Sequence, residues 1–275
     1  MLGEIIGDVV GSRFEWKNNK TKEFELFHKD CFFTDDSVMT IAIADAIMRA
    51  NKNIDILPTY AVESMQLIGR PYPKCGYGGN FYHWIYSDNP KPYGSFGNGA
   101  AMRVSACGFV AGSLEEVMEL SNAVTEVSHN HPEGLKGAEA TAVAVFMAKE
   151  GYKKEEIKQY IIENYYDMDF TLDEIRKDYF FDVTCQGSVP QALEAFFESE
   201  SFEDAIRNAI SIGGDSDTIA AITGGIAEAY YGIPESMVQK AKEYLDEELI
   251  EIVNRFYCSN LIRIEKNYES TIMSI

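Results

Sequence analysis

The chain has 275 residues, 46% hydrophobic and 25% charged, with no Ser/Gly-rich linker or low-complexity run, so a single domain over 1–275 with a large core is predicted. Its 44 acidic and 24 basic side chains leave a formal charge of −20, which repels phosphate backbones and anionic bilayers and excludes general nucleic-acid or membrane-surface binding. A phosphate-bearing ligand would need local cations or helix N-termini to override that field.

In chain order, the first predicted element is Gly3-Glu4-Ile5-Ile6-Gly7-Asp8-Val9-Val10-Gly11, with glycine at every fourth position. A membrane dimerisation helix shares that spacing, but this run is short and carries Glu4 and Asp8. A soluble helix packed by its glycine stripe on a neighbour is therefore predicted, with Glu15 just beyond it within reach of a shared site. The segment between Trp16 and Phe33 is short and polar, and Cys31-Phe32-Phe33 is β-like. Thr34-Asp35-Asp36-Ser37 then opens a helix over 36–50.

Further helices are predicted at 56–69, 79–87, 99–111, 133–149 and 154–165, followed by a second β-like piece, Tyr179–Val183. Four capping signatures mark helix starts: Ser113/Glu116, Thr171/Glu174, Ser188/Gln191 and Ser201/Asp204. In 201–212, Phe202, Ala205, Ile206, Ala209 and Ile210 line one face. The last predicted helices are 217–231, opened by Gly213-Gly214-Asp215-Ser216-Asp217-Thr218, and 235–257. An all-α, compact multi-helix globule of a dozen or so helices follows. The five cysteines lack CxxC spacing, so reduced thiols and a cytoplasmic setting are expected; no run approaches a membrane span.

Two acidic clusters at helix starts carry the chemistry. Each supplies carboxylate and hydroxyl oxygens, the donors that Mg²⁺, Mn²⁺ or Ca²⁺ prefer over the His/Cys set of zinc. Alone, either cluster is a helix cap that complements the positive helix end; together they predict a shared divalent-cation site. Between them lie Phe96-Gly97-Asn98-Gly99-Ala100-Ala101-Met102-Arg103, a glycine turn that can offer backbone N–H groups to a phosphate, and Ser128-His129-Asn130-His131-Pro132-Glu133-Gly134, whose histidines are read as pocket or cap residues.

Five motifs in order, Gly7-Asp8-x-x-Gly11-x-x-x-Glu15, Thr34-Asp35-Asp36-Ser37, Gly97–Arg103, Ser128–Gly134 and Gly213-Gly214-Asp215-x-Asp217-Thr218, closely resemble the ADP-ribosylglycohydrolases over residues 3 to about 234. The resemblance implies a central cleft with two Mg²⁺ ions, or Mn²⁺ in their place, held by Thr34, Asp35, Asp36, Asp215, Asp217 and Thr218. It implies ADP-ribose contacts from Gly76, from Phe96, Gly97, Asn98, Gly99, Ala100, Ala101 and Met102, from His129 and from Val183. Glu15, Asp35 or Asp36 is expected to take a proton from the attacking water. The implied activity is hydrolysis of an ADP-ribosylated protein or small molecule, with N-linked ADP-ribosyl-arginine as first choice and O-linked ADP-ribose as the alternative, in a monomer or weak oligomer. A non-catalytic, metal-stabilised relative and a two-metal phosphoesterase are the competing readings. Glu228 departs from the small residue usual at its position.

Overall fold

The computed structural model describes residues 1–259 and 261. Among them run fourteen α-helices and one 3₁₀ turn, with no strand. They are α1 (Leu2–Gly11), α2 (Asp35–Ala50), α3 (Leu57–Gly69), α4 (Gly79–Tyr86), the 3₁₀ turn Asn98–Ala100, α5 (Ser105–Val110), α6 (Leu114–Thr125), α7 (Pro132–Lys149), α8 (Lys154–Asn164), α9 (Leu172–Arg176), α10 (Cys185–Phe197), α11 (Phe202–Ser211), α12 (Ser216–Tyr231), α13 (Glu235–Lys242) and α14 (Glu247–Tyr257). The all-α class is the one the sequence predicts, and no described helix is long and apolar enough to cross a membrane.

Helix α12 is central. It packs against α1, α5, α7, α10 and α11, and its residues from Ser216 to Glu228 are all buried. The glycine stripe of α1 permits the closest of these approaches. A Cβ on Gly3 would stand 2.1 Å from the Gly224 carbonyl oxygen, one on Gly7 2.0 Å from the Ala220 carbonyl oxygen, and one on Gly11 2.6 Å from the Asp217 Cα. Backbone therefore meets backbone along the whole contact, and Asp8 and Asp217 are carried to the same end of it. Glu228 accepts hydrogen bonds from the Gly3 N–H (2.8 Å) and the Tyr257 hydroxyl, so this departure from the small-residue pattern ties α12 to α1 and α14.

Several predicted elements take a different form. The helix expected over 99–111 divides into the 3₁₀ turn and α5, because Asn98 turns its side chain inward to Ser188 and Asp215 and the chain must swing before α5 begins. The expected 235–257 helix is α13 and α14, separated where the Asp246 carboxylate caps the Leu249 N–H at 3.0 Å. Ser188 does not cap a helix: α10 starts at Cys185, where the Thr184 hydroxyl accepts from the Gly187 N–H, and the hydroxyl of Ser188, itself within α10, donates to the Asp182 carbonyl ahead of the helix at 2.9 Å. Tyr179–Val183 forms no strand; next to it, Gly97 and Thr184 make an isolated antiparallel pair. The caps at Ser113, Thr171 and Ser201 are present as predicted.

Candidate functional site

The N-terminal ends of α2 and α12 and the C-terminal half of α1 meet at one acidic centre. Two consecutive left-handed glycines, Gly213 (φ +70°) and Gly214 (φ +74°), turn the chain sharply into α12, and the Asn18 side chain caps the Gly214 N–H at 3.1 Å. Asp8, Asp36 and Asp217 form one group of carboxylates whose oxygens lie within 4.8 Å of one another; Glu15, Asp215 and Asp217 form a second. Asp217 belongs to both. Thr34 and Thr218 complete the centre with hydroxyls 3.3 and 3.2 Å from the Asp36 carboxylate.

Burial is the largest cause that pushes the Asp35, Asp36 and Asp217 carboxyls well above the usual range. Neighbouring carboxylates add to it. The same causes, burial first and then Asp217, hold Glu15 at about 7. Asp36 Oδ1 is buried with no hydrogen-bond partner among the described residues. Crowded, desolvated anions with an unused oxygen suit cations, and a donor set of carboxylate and hydroxyl oxygens without sulfur or imidazole suits hard divalent ions. These residues fit Mg²⁺ or Mn²⁺.

Asp8 is the member that sequence reasoning quoted but gave no role. It is fully buried, accepts from the Thr34 N–H (2.8 Å), the Thr34 hydroxyl (2.7 Å) and the Ser37 N–H (3.1 Å), and also from the Ser37 hydroxyl. With the Thr34 proton given to Asp8 and one lone pair of Thr34 Oγ1 accepting from the Asp36 N–H at 3.3 Å, the other lone pair stays available to a cation. The available signal was an acid beside the glycine stripe of a helix that is apolar apart from Glu4. Asn98 likewise gains a specific part: its amide donates to Asp215 at 2.7 Å and to Ser188 at 3.0 Å, so it orients a carboxylate of the acidic centre.

The acidic centre forms one wall of a cavity of about 650 Å³ that Gly76, Gly97, Asn98, Gly99, Met102, His129 and Val183 also line. Gly76 (φ +121°) lies against Asp35, whose carboxylate oxygen would be 2.5 Å from a Cβ there. Asp35 is outside both carboxylate groups. Phe96, Ala100 and Ala101 do not line the cavity: the two alanines are fully buried, and the Phe96 ring packs on His131 at 5.1 Å. In the glycine turn, the N–H groups of Gly97, Asn98, Ala100, Ala101 and Met102 are bonded within the protein. The Gly99 N–H has no partner among the described residues.

The ADP-ribosylglycohydrolase family model matches residues 1–265. This chain belongs to that family. Among its relatives, ADP-ribosylhydrolase ARH3 of Xenopus tropicalis is 25% identical over 95% of each chain, and ADP-ribosylhydrolase ARH3 of Homo sapiens is 23% identical over 91% of this chain and 90% of its own. The ADP-ribosyl-[dinitrogen reductase] glycohydrolase of Rhodospirillum rubrum is 24% identical over 90% of each. A solved ADP-ribosylglycohydrolase-related protein complex has the same fold, with a TM-score of 0.68, 21% identity and coverage of 94% of this chain and 95% of that one. The chain is thus an ADP-ribosylglycohydrolase by family, and the acidic cavity is where the family's first, second and fifth motifs converge.

Proposed function

We propose that this ADP-ribosylglycohydrolase is a Mg²⁺-dependent hydrolase that releases ADP-ribose from N-linked ADP-ribosyl-arginine or a related guanidino group. One observation carries the reading: a single cavity is lined by an oxygen-rich acidic wall and, beside it, by a glycine turn with an N–H unbonded among the described residues and a buried histidine. The first suits divalent cations and a ribose diol; the second suits a diphosphate. Bound at Thr34, Asp35, Asp36, Asp215, Asp217 and Thr218, the cations would supply Lewis acidity to the attacking water and the ribose hydroxyls.

The protein's own groups do the rest. Asp8 and Asn98 hold Thr34 and Asp215 in place, so the acidic wall is preorganised before any ligand enters. Glu15, half-buried beside Asp215 and Asp217, is placed to accept the proton of the attacking water as the anomeric carbon takes on oxocarbenium character. Trp16, Phe32 and Phe181 line the cavity next to Glu15, and the Trp16 and Phe181 rings stack at 4.8 Å. Aromatic faces beside carboxylates favour a cationic guanidino leaving group.

The experiment compares acceptors. ADP-ribosyl-arginine, ADP-ribosyl-serine and O-acetyl-ADP-ribose are each incubated with the protein and Mg²⁺, and free ADP-ribose is followed. The arginine substrate is expected to turn over fastest. Faster release from either O-linked substrate would move the assignment to O-linked ADP-ribose.

A further inference from the structure

Behind the glycine turn sits Arg103, the largest fully buried side chain among the described residues. No carboxylate pairs with it among the described residues, and its Nε and Nη1 have no hydrogen-bond partner. It lies over the Phe81 ring at 5.4 Å and its Nη2 also reaches the Val124 carbonyl at 3.5 Å, but a buried guanidinium without a carboxylate is costly, so its retention calls for a role. Its Nη2 donates to Ser128 Oγ at 2.8 Å, and Ser128 Oγ lies 2.9 Å from His129 Nδ1.

The direction of that second bond follows from counting protons. Arginine only donates, so it occupies a lone pair of Ser128 Oγ, and the one Ser128 hydroxyl proton remains to be placed. Among the described residues, its remaining hydrogen-bond partner is His129 Nδ1. If Nδ1 carried the proton instead, the Ser128 hydroxyl, which is fully buried, would have nowhere to donate. The imidazole therefore keeps its proton on Nε2. Burial first, and Arg103 second, hold His129 well below its usual range, so the ring is neutral. The ring is wedged between Phe81 and Tyr93, at centroid distances of 5.8 and 5.6 Å. Its Nε2 faces the glycine turn: a Cβ on Gly99 would be 3.4 Å from it, and one on Gly97 3.8 Å. His129 Nε2 and Gly99, whose N–H is unbonded among the described residues, thus lie together in the cavity lining.

We propose that Arg103 is a positioning residue for an anionic, diphosphate-bearing ligand: through Ser128 it fixes His129 as the Nε2–H tautomer, and its unpaired charge makes this end of the cavity the anion-binding end. The proposal rests on the ADP-ribose reading for its ligand, while the tautomer itself does not. The cavity then has two kinds of lining, carboxylates on one part and a buried cation behind the His129 and Gly99 donors on another, which decides the part of ADP-ribose that each one takes.

The test has two arms. In the first, ¹⁵N NMR of the ligand-free protein, with His129 assigned by comparison with His129→Gln, should show a neutral ring protonated at Nε2, and Ser128→Ala should produce a mixture of tautomers. A wild-type ring protonated at Nδ1 overturns the proposal whatever the protein binds. In the second, calorimetry should show that Ser128→Ala and Arg103→Lys each weaken ADP-ribose about tenfold or more, with Mg²⁺ affinity unchanged. Ser128→Ala covers the case in which Arg103→Lys fails to fold. Wild-type affinity for ADP-ribose in Ser128→Ala, with the ring still protonated at Nε2, also overturns it. If the wild-type protein binds no ADP-ribose, the functional reading fails, and the NMR arm with inorganic pyrophosphate as probe still decides the positioning role: no weakening of pyrophosphate in Ser128→Ala counts against it.

Discussion

Gly7→Ala should uncouple the acidic centre without touching any of its side chains. The added Cβ would lie 2.0 Å from the Ala220 carbonyl oxygen, 2.3 Å from the Ala220 carbonyl carbon and 2.6 Å from the Ala221 nitrogen. All three are backbone atoms, which cannot rotate aside, so α1 must lift by about 1.5 Å to restore ordinary contact. Alanine gains about 1 kcal/mol in helix propensity over glycine, but overpacking of this kind costs about 1–3 kcal/mol and more where backbone opposes it. A net loss and a lower melting temperature are expected. The next residue is Asp8, whose bonds to Thr34 at 2.7–2.8 Å cannot survive such a shift intact, so Mg²⁺ affinity should fall about 10- to 100-fold, the usual consequence of losing support behind metal ligands. Thermal melts and calorimetric Mg²⁺ titration measure both effects, with Gly79→Ala, where a Cβ meets nothing within 4 Å, as the stability control. A Gly7→Ala protein that melts like wild type and binds Mg²⁺ within twofold of it would refute the argument that the glycine stripe sets the geometry of the centre.

Other substitutions probe the remaining parts. Asp35→Asn combined with Asp217→Asn should abolish divalent-ion binding and activity while the helices persist, and circular dichroism with calorimetry checks this; full activity without added metal would contradict the cation reading. Glu15→Gln should leave ADP-ribose binding intact and slow turnover by about 10²–10⁴-fold, and an undiminished rate would remove Glu15 from the proton transfer. Glu4 tests the pH dependence of the core: buried against Ser105, its carboxyl is pushed up to about 7, by burial before any other cause. Because the folded-state value lies above the unfolded one of about 4.3, the contribution is fully present below pH 4.3 and is lost as pH rises through 7. Glu4→Gln should therefore flatten the fall in melting temperature between pH 5 and 8 by the equivalent of about 3 kcal/mol; an unchanged slope would mean that Glu4 ionises freely.

Much of the architecture was legible because local signals and tertiary packing agree. Ser113, Thr171 and Ser201 cap the helices they announce, and the Gly3–Gly11 stripe meets a small-sided partner, as its spacing predicts. The misses arise where a side chain turns inward for a distant partner. Asn98 bonds Asp215, 117 residues away, and that long-range bond, invisible to periodicity, breaks the helix expected over 99–111. Ser188 satisfies a capping pattern but is claimed by Asn98 and by the Asp182 carbonyl. At the site, Asp36, Asp215 and Asp217 were readable as oxygen donors because acids at helix starts are conspicuous. Asp8 was not, since an acid inside a helix shows its use only when the residues facing it are known.

The most direct measurement of the central claim is release of free ADP-ribose from ADP-ribosyl-arginine by the wild-type protein, followed side by side in excess Mg²⁺ and in excess chelator. Release in Mg²⁺ that stops in chelator and returns when Mg²⁺ is restored is the expected result. Equal release in both, or none from this or either O-linked substrate with Mg²⁺ present, would contradict a cation-dependent ADP-ribosyl hydrolase built on these carboxylates.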